Sequence, residues 1–153
     1  MENEKNFAVL LGVSYMRVEK VDVTGAKTLL GKLYELIDNG CDIVEPVRVR
    51  GLPEGYVMIV DEEGRLKANQ ELNVIGSYLY GMHKHGEPIV GNAVIVKEVY
   101  TDDGVEWAWL TEEEADSIER KMSGRIWRDA ITKISKYLED LLESENDIVR
   151  MCE

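Results

Sequence analysis

Two apolar runs, Ile89 to Tyr100 and Val105 to Leu110, flank the short segment Thr101-Asp102-Asp103-Gly104. Asp-Gly supplies residues that tolerate positive φ, so the stretch reads as a β-hairpin, the firmest supersecondary unit in the chain. The rest of the sequence is then read for the strands and helices that bury it.

Phe7 to Val13 is nearly continuous in apolar residues, and Tyr15 to Val23 alternates through Met16, Val18, Val21 and Val23. Both read as strands. Ile43, Val44, Val47 and Val49 suggest another, placed at an edge or bulge by Pro46, which cannot donate to a ladder. Tyr56 to Val60 carries no charge and reads as a buried central strand, closed by the turn Asp61-Glu62-Glu63-Gly64.

Three segments have a helical period instead. Thr24 is placed to cap the first, in which Ala26, Leu29, Leu30, Leu33, Leu36 and Ile37 share a face, ending at Asn39-Gly40. The second runs from Gln70 to Tyr80 and stops at Gly81, with Met82 to Pro88 read as a loop. Thr111 and Glu114 form a capping box for the third. Ser123-Gly124 breaks or kinks it, and Trp127, Ala130, Ile131, Ile134, Leu138 and Leu141 make one stripe to about Leu142. Ser144 to Glu153 reads as frayed. The expected fold is α+β: a mixed, mostly antiparallel sheet, two to four helices and a long C-terminal helix. A single domain over 1–153 is expected, with an N-terminal strand in 1–14, a hairpin arm and C-terminal helix in 101–144, and a tail in 145–153.

At 153 residues and 44% apolar content the chain is large enough for a conventional core and too hydrophobic for disorder. Its apolar runs are too short to span a membrane, and Met1-Glu2-Asn3-Glu4-Lys5 lacks the pattern of a signal peptide, so a cytoplasmic chain is expected. Cys41 and Cys152 read as free thiols of a reducing compartment. The net charge of −12 opposes direct nucleic-acid binding and adsorption to anionic membranes. Half of the 30 acids, but only 7 of the 18 bases, fall in residues 101–153.

No pattern points to catalysis. His83 and His85 give two metal ligands at best where three or four are needed, and read as exposed loop residues. The serines lack an elbow motif, and the glycines are dispersed rather than gathered in a phosphate loop. A non-enzymatic chain without cofactor or metal is expected. The unusual stretch is Asp102 to Glu119, which holds Asp102, Asp103, Glu106, Glu112, Glu113, Glu114, Asp116 and Glu119 with no lysine or arginine. It reads either as a solvated capping region or as a patch that steers a basic partner. Trp107 and Trp109 share one strand face, as core residues or as anchors for that partner. The Trp127 to Leu141 stripe packs within the chain or joins two copies.

Asp61-Glu62-Glu63-Gly64-Arg65-Leu66, Asn73-Val74-Ile75-Gly76-Ser77-Tyr78-Leu79-Tyr80-Gly81 and Gly86-Glu87-Pro88-Ile89-Val90-Gly91-Asn92-Ala93-Val94-Ile95-Val96 carry a family resemblance. Over roughly residues 15–100 the chain resembles the proteins grouped as domain of unknown function 3846, found in bacteriophages, plasmids and other mobile elements. The resemblance brings no catalytic residue. It implies an accessory protein acting in a host cytoplasm. Two functions are expected in turn: a non-enzymatic protein that binds and inhibits or modulates a host or defence protein through the Asp102 to Glu119 region, and, as the alternative, a small-ligand or nucleotide-binding protein whose pocket involves Tyr78, Tyr80, His83 and His85.

Overall fold

Phe7–Gly12 (β1) is apolar almost throughout and buried at every position, the signature of a strand covered on both faces. The structure is a computed structural model that describes residues 4–69 and 71–152. The second strand begins later than its alternation suggests. Gly12 pairs with Arg17, so Val13 to Met16 must reverse the chain, and they do so through a 3-10 turn at Ser14–Met16. The strand proper is Arg17–Asp22 (β2).

Helix α1 spans Leu29–Ile37, and its cap is Thr28, whose Oγ1 accepts the Gly31 N–H at 3.0 Å. Thr24, the residue expected to cap it, instead has its Oγ1 engaged by the Asn6 N–H at 2.9 Å. Val44–Val47 (β3) is an edge strand, as Pro46 requires, and Tyr56–Asp61 (β4) lies beside it inside the sheet. A 3-10 turn at Gly64–Leu66 follows. Helix α2 is Val74–Tyr80, capped by Asn73; Gln70, where its start was expected, lies outside the described residues.

Met82–His85 is not a loop but a one-turn helix, α3, which accounts for a fifth helix beyond the two to four expected. Gly81 makes it possible. At φ 96° it ends α2 and begins α3, its N–H bonded to the Ser77 and Tyr78 carbonyls, and a Cβ there would press on the His85 ring at 3.3 Å.

Ala93–Thr101 (β5) and Gly104–Ala108 (β6) form the expected hairpin. Its turn is tied by the Asp103 N–H to Thr101 Oγ1 at 3.2 Å, and Gly104 alone among its residues takes a positive φ. The Thr111/Glu114 capping box opens α4, Glu112–Ser123, and a break at Gly124 separates it from α5, Arg125–Cys152. α5 continues past Leu142 through the segment expected to fray, and Glu153 lies outside the described residues. Of its stripe, Ala130 and Ile134 are buried, whereas Leu141 and Leu142 are 45% and 61% exposed.

All strand pairs are antiparallel in the order β2-β1-β5-β4-β3, and β6 pairs with the C-terminal part of β5. Alternation sorts the strands onto two cores. Val9, Leu11, Met58, Val60 and Ile95 pack under α2, α4 and α5; Ala8, Leu10, Val57, Ile59, Val94 and Val96 pack under α1 alone. Trp107 and Trp109 lie half-buried on the α1 side, between the core and surface readings. Cys41 is a buried free thiol on the same side. Among the described residues no helix is long and apolar enough to cross a membrane.

Candidate functional site

The acidic stretch divides once folded. Lys20 Nζ lies 2.7 Å from Asp116 and 3.3 Å from Glu112, while its backbone N–H donates to Glu119 at 2.7 Å, so these three carboxylates bind α4 to the edge of β2. Glu114 accepts from the Thr111 N–H, from Lys97 Nζ at 2.9 Å and from the Tyr56 hydroxyl at 3.0 Å. Burial pushes its carboxyl up, but these bonds outweigh burial and hold it at about 2. Asp102, Asp103, Glu106 and Glu113 stay exposed. Half of the expected partner surface is therefore internal bonding.

The four residues of the alternative site do converge. Tyr78 stacks on His83 with centroids 5.2 Å apart, and Tyr80 meets the His85 ring edge-on at 4.8 Å. They line a groove of about 460 Å³ between α2, α3 and the segment after β3. Its remaining wall carries Arg48, Arg50 and Lys84, with Ile126 of α5 as an apolar patch. No carboxylate lines it. Arg48 has a partner in Glu98 at 3.0 Å, whereas Arg50 and Lys84 are exposed and have none among the described residues.

The two histidines are not equivalent, and neither is a free loop residue. His85 Nε2 lies 2.8 Å from the Tyr80 carbonyl and its Nδ1 accepts the Glu87 N–H at 3.1 Å. That pattern requires the neutral Nε2–H tautomer and leaves no ring nitrogen for a ligand. His83 keeps its own chemistry. Its Nδ1 is buried without a partner among the described residues, and burial, followed by the charges of Lys84 and Lys133, pushes its pKa down. The lowered pKa favours the neutral ring, and orphaned buried N–H groups are rarer than orphaned acceptors, which favours the tautomer with the proton on Nε2. No set of three metal ligands occurs among the described residues.

Behind the groove lies a buried polar clamp. Asn73, 2% exposed, donates to the Leu11 and Gly91 carbonyls, both at 2.9 Å, and accepts the Gly76 N–H. Ser77 exchanges hydrogen bonds with both backbone groups of Ile89. A Cβ on Gly76 would stand 3.1 Å from Asn73 Oδ1, so glycine permits the close approach. Asn73, Gly76, Ser77 and Gly91 belong to the segments that carry the family resemblance, and their work is to hold α2 against β1 and the chain before β5.

The family described as Domain of unknown function (DUF3846) matches residues 11–123. The chain belongs to this family. The match exceeds the 15–100 expected from the motifs, because the DUF3846 region also takes in the last two residues of β1, the rest of the hairpin and α4, which contribute to one sheet and its cover. No curated protein and no solved structure gives a significant match.

Arg48 and Arg50 did not stand out in the sequence. The available signal was the alternation Val47-Arg48-Val49-Arg50, which puts both guanidinium groups on one side of an extended segment. Only the fold brings them to Lys84 and His83 of this DUF3846 chain.

Proposed function

We propose that the protein is a non-enzymatic binder of a small anionic ligand of the nucleotide class, held in the groove between α2, α3 and the Arg48–Arg50 segment. One observation carries the reading: a chain of net charge −12 leaves a groove that no carboxylate lines and in which Arg50 and Lys84, unlike Arg48 with its Glu98 partner, have no carboxylate partner among the described residues. Screening confines each charge to about 8 Å at physiological salt, so a compact anion in the groove meets the local cations rather than the acidic remainder. A long polyanion would run onto the acidic surface. Guanidinium groups take phosphate oxygens in a fork, and Tyr80 with the Tyr78–His83 pair offers aromatic surface for a ring. His83 adds a neutral Nε2–H donor.

The test is a thermal-shift series with inorganic phosphate and the common mononucleotides, on the native chain and on Arg50→Ala/Lys84→Ala. Mononucleotides should raise the melting temperature of the native chain, since a ligand confined to the folded state stabilises it by mass action. The double variant should melt at the native temperature without ligand and lose most of the ligand shift. Absence of any shift at millimolar nucleotide, or an equal shift in the variant, overturns the proposal.

A further inference from the structure

Among the described residues β2, β3 and β6 each have an edge without a strand partner, and the three are treated differently. Along β2 the edge is closed by α4, with the Lys20 N–H donating to Glu119. β3 is only four residues long and contains Pro46. β6 has neither device among the described residues: it pairs with β5 on one side, contains no proline, and exposes Val105 and Glu106. An uncovered strand edge is a template for another strand.

Across the hairpin arm from this edge, towards β3, the α1 side of the sheet is open. α1 has nine residues and stops short of the hairpin arm, leaving a groove of about 600 Å³ walled by Leu30, Pro46, Val105 and Trp107. Leu30 is 43%, Val105 49% and Tyr100 79% exposed. Charge then selects the occupant. The one cation of the groove wall, Arg48, is spent on Glu98, so Asp102, Asp103 and Glu106 are the uncompensated charges of the arm. A second copy pairing through β6 would set these carboxylates against their own images, on chains that each carry −12. A basic partner gains where a copy loses.

We propose that β6 accepts, by strand addition, an extended segment of another protein in which apolar and basic residues alternate. Strand periodicity matches the site: Val105 and Trp107 share the α1 face of β6 and Glu106 alternates with them, so apolar side chains of the added strand lie beside Val105 and Trp107 while its lysines or arginines lie beside Glu106. This surface is separate from the anion groove, and either reading stands without the other.

The experiment titrates the native protein with three short probes: alternating Lys-Val, alternating Glu-Val, and Lys-Val with N-methyl groups at every second amide. Binding is read by calorimetry and by amide shifts in residues 104–108. The Lys-Val peptide should bind, more weakly as salt rises, and the other two at least about tenfold more weakly. Val105→Asp and Glu106→Lys, both at exposed positions, should each weaken Lys-Val binding about tenfold without changing the melting temperature. Equal binding of the Glu-Val peptide removes the charge argument, equal binding of the methylated peptide removes strand addition, and dimerisation of the free protein through residues 104–108 replaces the partner by a second copy. Each of these outcomes, like failure of Lys-Val to bind at all, overturns the proposal.

Discussion

The two faces of the sheet are buried by different means. On one, three helices cover Val9, Leu11, Met58 and Ile95, and Asn73, Ser77 and Glu114 are held by hydrogen bonds: Asn73 and Ser77 with backbone, Glu114 with Lys97, Tyr56 and Thr111. On the other, one nine-residue helix covers Ala8, Leu10, Val94 and Val96 and leaves the hairpin arm half open. The contrast separates residues that specify the fold from residues free to meet a ligand. Polar residues under the three-helix layer are structural although they look functional in the sequence. The groove arginines and the β6 edge lie outside that layer and can change at little cost to folding.

Asn73→Ala puts the greatest strain on this contrast. It strips partners from the carbonyls of Leu11 and Gly91 and from the Gly76 N–H, and removes the cap of α2. A loss of about 3 kcal/mol or more in urea unfolding is expected. Asn73→Asp keeps the cap acceptor but cannot donate to the carbonyls, so it should rescue only part of the loss. Near-native stability of Asn73→Ala would show that the three-helix face does not depend on its buried polar clamp.

Glu114→Gln comes next. The carboxyl titrates at about 2 in the folded chain against 4.5 ordinarily, so its bonds contribute stability that is complete above about pH 4.5 and is lost as pH falls towards 2. At neutral pH the variant should be less stable by on the order of 2–3 kcal/mol. The gap between variant and native chain should close through that acid window. A gap that is constant from pH 2 to 7 would mean that Glu114 acts through shape rather than charge.

The legible parts of the fold were those decided by neighbours in sequence. The Thr101 to Gly104 turn, the Thr111/Glu114 box, the break at Gly124 and the edge placement of Pro46 each follow from local chemistry, and each stands in the structure. Thr24 and Thr28 are both plausible caps, and only the hydrogen bond from Asn6 to Thr24 separates them. α3 was missed because four residues carry no period. The candidate site was half legible: its aromatic and histidine wall is contiguous from Tyr78 to His85, but Arg48 and Arg50 come from about thirty residues upstream and Ile126 from about forty downstream, distances that only the sheet and α5 close. The acidic stretch misled in the opposite sense, since Lys20, Tyr56 and Lys97, which consume half of it, are remote in sequence.

The smallest effect is expected at the end of α1, where the thinner layer stores strain. Asp38 caps the helix at φ 62° and ψ −157°, a region that is essentially reserved for glycine. Its N–H bonds the Tyr34 carbonyl, which holds it in place. Asp38→Gly relieves the side-chain strain but enlarges the unfolded ensemble, and the two effects oppose each other. Strain in this region is of order 1–3 kcal/mol and the entropic cost somewhat under 1, so a net gain of about 1 kcal/mol, a few degrees in melting temperature, is expected. If the variant melts at or below the native temperature, the α1 layer carries no relievable strain at Asp38, and its thinness rather than its geometry sets the difference between the two faces.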